Sequence, residues 1–191
     1  MRLPISALIL AAWCLSQAAP ALAHSFNVAL VIPMSGQSKV TGQQIADGFM
    51  LATQERDNHP DNEADGHLGG LDVYVHKADN QANSLGKLKS ILQQQSIDII
   101  VSVGTDESTG AAIAAMAGDG TIVLSPGRLP QDRAGFRSAF QAAYGYEATE
   151  MSARGYNEAR RIDAAIRPLD SVDDKTELRR RLGRTAITFS W

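Results

Sequence analysis

Short apolar runs alternate with helix-periodic segments along most of the chain, and this alternation constrains the fold more than any other feature. Four runs are nearly continuous or half-alternating in apolar residues and predict strands, at residues 26–32, 71–78, 97–103 and 121–124. Segments with apolar residues at helical spacing separate them, at residues 41–56, 85–92 and 108–117. The order predicts an α/β protein with an open, mainly parallel sheet, right-handed crossovers and helices on both faces.

The pattern changes after Pro126, and the chain from Ala134 onward reads as helix. Apolar stripes predict three helices, on Phe136, Phe140 and Tyr144, then Gly155, Ala159, Ile162 and Ile166, then Leu178 and Leu182. Pro168 is expected to end the second of these helices. Residues 186–189 are rich in apolar and β-branched side chains and predict a closing strand.

The first 23 residues have the pattern of a cleaved signal peptide. Arg2 is followed by an apolar run at 5–15, and Ala21-Leu-Ala23 forms a small-residue cleavage site. Trp13 stands before Cys14 where a lipoprotein needs a small residue, so we expect no lipid anchor. The alternative is a buried N-terminal helix. The prediction is an exported periplasmic protein whose residues 24–191 form one domain.

Composition excludes several classes of function. The chain has 191 residues, 20% of them charged, and a formal net charge of −3, which offers no strongly basic face for nucleic acid. Its single cysteine allows neither a disulfide framework nor a multi-cysteine metal site. The sequence lacks a P-loop, a G-x-S-x-G elbow and an H-E-x-x-H motif. We therefore expect a non-enzymatic protein without a cofactor.

Four segments occur in an order that resembles type I periplasmic solute-binding proteins of ABC transporters, the group that includes the branched-chain amino acid receptors. The opening is VALVIPMSGQSKVTGQQIADGFMLA, followed by HLGGLDVYVHKADNQANSLG. The third segment is IDIIVSVGTDESTGAAIAAMAGDGTIVLSPG, and the fourth is FQAAYGYEATEMSARGYNEARRIDAAI. The resemblance covers most of residues 26–191. It implies a flavodoxin-like lobe and a substrate-binding role in amino-acid-like solute transport or sensing, with an ABC permease or sensor as partner.

The chain departs from this family in the middle. Gly127 and Phe136 are only nine positions apart, where the family carries most of its second lobe. The resemblance therefore implies a single lobe, in which closure of two lobes over a solute is not available. A homodimer could rebuild a cleft. Two alternatives are an accessory protein that binds a partner through the uncovered lobe surface and a decayed remnant without activity.

The candidate ligand site follows from the predicted topology. In an open parallel sheet, ligands bind at the carboxyl ends of the strands, where three loops fall at residues 34–37, 105–109 and 125–128. The hydroxyl groups, backbone donors and close approach needed to hold a small polar solute are expected from Ser35, Gly36, Ser108, Thr109, Ser125 and Gly127. The same residues would equally serve as helix caps and turns.

Two acids set the expected charge preference of this site. Asp106 and Glu107 stand where the resembled family commonly has small polar residues. They would repel a carboxylate and favour an amine or another cation. The predicted solute is therefore a small polar molecule such as an amino acid or amine.

A second group of polar residues, at every second position, is a weaker candidate for metal binding. It comprises Asp57, His59, Asp61, Glu63, Asp65 and His67. The stretch from Asp61 vaguely resembles a calcium loop, but its twelfth position is Asp72, inside a predicted strand. We interpret the segment as a solvated helix-to-strand connection and predict no metal site.

Overall fold

The computed structural model describes residues 25–55, 64–124, 126–127 and 134–188. Its strands are β1 (Ser25–Ile32), β2 (His67–Leu68), β3 (Leu71–Asp79), β4 (Ile99–Ser102) and β5 (Ile122–Leu124). Its helices are α1 (Lys39–Gln54), α2 (Leu85–Gln94), α3 (Glu107–Met116), α4 (Ala134–Tyr144), α5 (Glu150–Ile166) and α6 (Lys175–Thr188). The predicted signal peptide and Ser125 lie outside the described residues.

The strands form one sheet in the order β2-β3-β1-β4-β5. Strands β3, β1, β4 and β5 are parallel, with Ser25 of β1 opposite Asp72 of β3 and Val28 opposite Ile99 of β4. This arrangement confirms the predicted open, mainly parallel, flavodoxin-like sheet. The two-residue strand β2, antiparallel to β3 at the edge, was not predicted from the sequence.

Helices cover both faces of the sheet, as predicted, but unequally. The larger core lies under α1, α4, α5 and α6 and includes Phe26, Leu30, Phe49, Phe140 and Ile162. The smaller core lies under α2 and α3 and includes Val31, Leu88, Ile100 and Ile113. The late helices thus pack on the same face as α1. No helix within the described ranges combines the length and apolar character that a membrane crossing requires.

Helices α1 and α5 cross with their backbones in direct contact. A Cβ atom on Gly48 of α1 would lie 1.9 Å from the carbonyl oxygen of Ser152. On Gly155 of α5 it would lie 2.0 Å from the carbonyl oxygen of Ile45. Only glycine permits this approach at the two positions. The crossing fixes α5 over the sheet.

The predicted closing strand at 186–189 is wrong. Residues 186–188 form the last turn of α6, and Phe189 lies outside the described residues. The physical reason is helical phase, because Ala186 continues the four-residue spacing of the buried Leu178 and Leu182. The β-branched residues of this short segment do not outweigh that packing.

Candidate functional site

The chain leaves β1, β3, β4 and β5 at the same edge of the sheet because these strands are parallel. We call the segments at this edge the carboxyl-edge loops; they are residues 33–37, 79–81, 103–109 and 126–127. Except for Ser125, all the residues predicted to bind ligand lie in these loops. Three hydrogen-bonded groups and the N-cap of α3 hold these loops along the edge.

The first group holds the loop after β1 against the end of β3. Asp79 accepts hydrogen bonds from the Ser35 hydroxyl at 2.5 Å and from the backbone N–H of Met34 at 3.0 Å. Partial burial opposes ionisation of Asp79, but these bonds and a third from the Gln81 N–H outweigh it and lower its pKa. Gly36 follows with φ of 64°, a conformation that favours glycine. Asp79 is a residue that the prediction did not include.

The second group joins β3 to β4. Asn80 is only 6% exposed, and its amide nitrogen donates to the carbonyl oxygen of Gly104 at 2.9 Å and to Thr105 Oγ1 at 3.1 Å. Thr105 Oγ1 lies 2.7 Å from Ser102 Oγ, so the hydroxyl groups continue the network into the strand. Asn80 and Thr105 thereby fix the approach of the chain to α3.

The same loop places a carboxylate at the start of α3. Asp106 Oδ1 accepts from the Ser108 hydroxyl at 2.6 Å and from the Thr109 N–H at 2.9 Å, and Oδ2 accepts from the Thr109 hydroxyl at 2.7 Å. Asp106 is therefore the N-cap of α3. The bonds from Ser108 and Thr109 hold its pKa well below the usual range. Glu107 is exposed beside it.

This arrangement changes the interpretation of Ser108 and Thr109. We expected their hydroxyl groups either to meet a solute or to cap α3 directly. In the structure both donate to Asp106, so a protein carboxylate already occupies the position where a solute carboxylate would gain from the helix N-terminus.

Acid should weaken this cap. A carboxylate whose pKa is depressed on folding stabilises the protein above the unfolded-state value of about 3.9, and the contribution is lost as pH falls through the folded value. We therefore expect the stability advantage of the wild type over Asp106→Asn to shrink below about pH 4. Urea denaturation at several pH values measures it. Asp119→Asn, an exposed substitution before β5, is the control, and a pH-independent difference between wild type and Asp106→Asn would contradict the assignment.

The third group holds the loop after β5 through contacts from α5. The Gly127 N–H donates to Glu158 Oε1 of α5 at 3.0 Å, and Glu158 forms an ion pair with Arg161. Arg161 is 1% exposed and Glu158 5%, and Arg161 also donates to the carbonyl oxygen of Leu182 at 3.3 Å. Burial raises the pKa of Glu158, while Arg161 and the Gly127 N–H oppose that rise.

The space around Gly127 leaves no room for a side chain. A Cβ atom on it would lie 2.6 Å from Arg161 Nη1, so a larger residue would displace the loop or the guanidinium. Sequence reasoning placed Gly127 in the site but missed Glu158 and Arg161. The available signal was an acid and a base three positions apart beside the apolar stripe of α5.

The candidate metal segment is only partly described. His67 Nε2 lies 2.7 Å from Asp72 Oδ1, and Asp65 accepts a hydrogen bond from the Val75 N–H. The other four residues of that group, Asp57, His59, Asp61 and Glu63, lie outside the described residues. Among the described residues, no group of three or more His, Cys, Asp or Glu side chains is arranged to hold a metal ion.

Comparison with known proteins identifies the fold. No protein-family model and no curated protein sequence matches the chain. A solute-binding protein of an ABC transporter from R. palustris, solved in complex with benzoate, aligns with a TM-score of 0.58 and 13% identity, over 83% of this chain and 85% of that chain. An ABC transporter substrate-binding protein from Sphaerobacter thermophilus aligns with a TM-score of 0.47, 13% identity and the same coverage. The first likeness confirms the fold of a type I solute-binding protein lobe.

Proposed function

We propose that this protein is a non-catalytic binding protein for a small polar solute, acting in ABC-type transport or sensing. The observation that carries the proposal is the position of the carboxyl-edge loops. In a lobe with the fold of a solute-binding protein, they bring hydroxyl, carboxylate and backbone groups to the edge where open parallel sheets bind ligands. The pattern of residues 1–23 supports location in the periplasm and residues 24–191 as the mature domain.

The solute that best fits the edge carries an amine. Asp79, Asp106 and Glu107 give the loops three carboxylates, and Asp106 already takes the hydrogen bonds of Ser108 and Thr109. A solute that carries only a carboxylate would be repelled by these acids. The N-terminus of α3, which could otherwise bind it, is already capped by Asp106. The benzoate bound by the R. palustris protein is such a carboxylate, so we expect this chain to differ from it in charge preference.

The affinity of a single lobe should be modest. One wall buries less of a ligand than a closed cleft does, so we expect a dissociation constant of ~0.1–1 mM, or roughly 4–5.5 kcal/mol. A second copy of the chain would supply the other wall, and binding would then strengthen with protein concentration.

Three probes with the same branched body test the charge preference. The first, 3-methylbutan-1-amine, carries an amine. The second, L-leucine, carries an amine and a carboxylate, and the third, 3-methylbutanoate, carries only a carboxylate. An NMR titration of the ¹⁵N-labelled protein, followed at the backbone amides of the carboxyl-edge loops, should rank affinity at this edge in that order. In Asp106→Asn/Glu107→Gln we expect the preference for the amine over the carboxylate to fall by about ten- to a hundredfold, since loss of charge-assisted contacts costs about 1.5–3 kcal/mol.

Asp119→Asn, at the opposite edge of the sheet, is the matched control and should leave the ranking unchanged. A wild type that prefers 3-methylbutanoate through the carboxyl-edge loops would contradict the proposed charge class. Absence of binding by all three probes and by a wider panel of amines and amino acids would contradict the solute-binding role itself.

A further inference from the structure

A pocket lies beside β5, the last strand of the sheet, and no residue of the carboxyl-edge loops is in its lining. It has a volume of about 230 Å³ and is bounded by β5, by α6 and by the end of a side chain from α5. We call it the edge pocket; its lining is Ile122, Val123, Leu124, Arg161, Arg179, Leu182, Gly183 and Ala186. The walls are mainly aliphatic, and the two arginines supply the polar side chains.

The outer edge of β5 turns its backbone polar groups toward this side. Strand β5 is last in the sheet order, and within the described ranges its only strand neighbour is β4. The Ile122 N–H donates to the carbonyl oxygen of Asp98, on the β4 side. Because successive residues of a strand direct their backbone groups to opposite sides, the N–H and C=O of Val123 point away from β4. The edge pocket therefore has a backbone donor and acceptor on one wall.

The charge of the pocket is positive. Arg161 is paired with Glu158, which offsets its charge. Arg179 differs from its neighbours Arg180 and Arg181, which both pair with Glu177. Within the described part of the chain, the hydrogen bonds of Arg179 go to the backbone carbonyl oxygens of Asp119 and Thr121, at 2.6 and 3.5 Å. The two arginines carry two positive charges and Glu158 supplies one negative charge, so the pocket favours an anionic ligand.

Gly183 lines the pocket on the α6 side and is exposed. A glycine in the middle of a helix costs about 0.5–1 kcal/mol relative to alanine. Gly48 and Gly155 offset that cost by allowing α1 and α5 to touch, but a Cβ atom on Gly183 would meet no atom within 4 Å. Its absent side chain leaves space in the pocket lining instead of permitting a close helix contact.

We propose that the edge pocket binds a small organic anion, a carboxylate on a branched or aromatic apolar body. The carboxylate lies toward Arg179 and the Val123 N–H, and the body packs against Ile122, Leu124 and Leu182. Its ligand has the opposite charge preference, and of its lining residues only Arg161, through Glu158, also supports a carboxyl-edge loop. Binding in the edge pocket can therefore be tested independently of the proposed function.

An NMR titration of the ¹⁵N-labelled protein tests the proposal, with 3-methylbutanoate and its uncharged amide, 3-methylbutanamide, as probes. The carboxylate should shift the amide signals of Val123, Leu182, Gly183 and Ala186 and bind roughly tenfold more tightly than the amide. Arg179→Gln should remove that difference. Gly183→Leu should abolish binding of both probes while leaving the spectrum folded, since its added side chain enters open space.

Arg184→Gln removes the same charge from the same helix, outside the pocket lining, and should keep wild-type binding. Equal affinity for the two probes would overturn the proposal, as would retained discrimination in Arg179→Gln. Shifts confined to the carboxyl-edge loops would also overturn it while leaving solute binding at that edge intact.

Discussion

Replacing Gly155 by alanine is expected to destabilise the protein by at least about 3 kcal/mol, the upper part of the range for overpacking. The new Cβ atom would lie 2.0 Å from the carbonyl oxygen of Ile45, so α1 and α5 would have to separate. Both helices pack on the larger core, and their separation would expose part of it. Urea denaturation of the wild type and the variant measures the difference in the free energy of unfolding.

Gly183→Ala is the matched control for this substitution. It makes the same chemical change in the middle of a helix, but its Cβ atom meets nothing within 4 Å. We expect it to stabilise the protein by about 0.5–1 kcal/mol through helix propensity. A Gly155→Ala variant as stable as Gly183→Ala would show that the two helices do not cross as described.

Replacing Arg161 by methionine is expected to cost about 3–5 kcal/mol, because it leaves the buried Glu158 without its ion-pair partner. The pKa of Glu158 is already raised by burial, and loss of Arg161 should raise it further. A carboxyl group whose folded pKa is raised is favoured when protonated, so its stabilising contribution is lost as pH rises through that value. The deficit of Arg161→Met should therefore be larger at pH 8 than at pH 5.

Two further variants separate the buried pair from a simple loss of charge. Glu158→Gln/Arg161→Met should be more stable than Arg161→Met alone, because no buried charge is left unpaired. Arg180→Met removes an exposed ion pair with Glu177 on α6 and should cost far less than Arg161→Met. Equal losses for Arg180→Met and Arg161→Met would contradict the importance of burial.

The sequence predicted the parts of the fold that depend on local pattern. The apolar runs located β1, β3, β4 and β5, and helical periodicity located the six α-helices of the described ranges. Strand β2 was not predicted because a strand of two residues is too short to show a periodic pattern in the sequence. The error at residues 186–189 arose because a short run of apolar and β-branched side chains suits a strand or a helix, and packing on Leu178 and Leu182 decides between them.

The candidate site was predictable in position but not in its internal bonding. Parallel topology alone brings the loops after β1 and β4 to one edge. The partners of Ser35 and Gly127 are Asp79 and Glu158, which lie 44 and 31 positions away in the chain. Such long-range bonds leave no periodic trace in one sequence.

The central claim is that a single lobe binds a small amine-bearing solute at the carboxyl-edge loops. An NMR titration of the ¹⁵N-labelled protein with 3-methylbutan-1-amine tests it most directly. The claim predicts saturable shifts at the backbone amides of Ser35, Gly36, Gln81, Glu107 and Thr109, and no comparable shifts at Val123 or Gly183. Saturable shifts confined to residues outside the carboxyl-edge loops would contradict it.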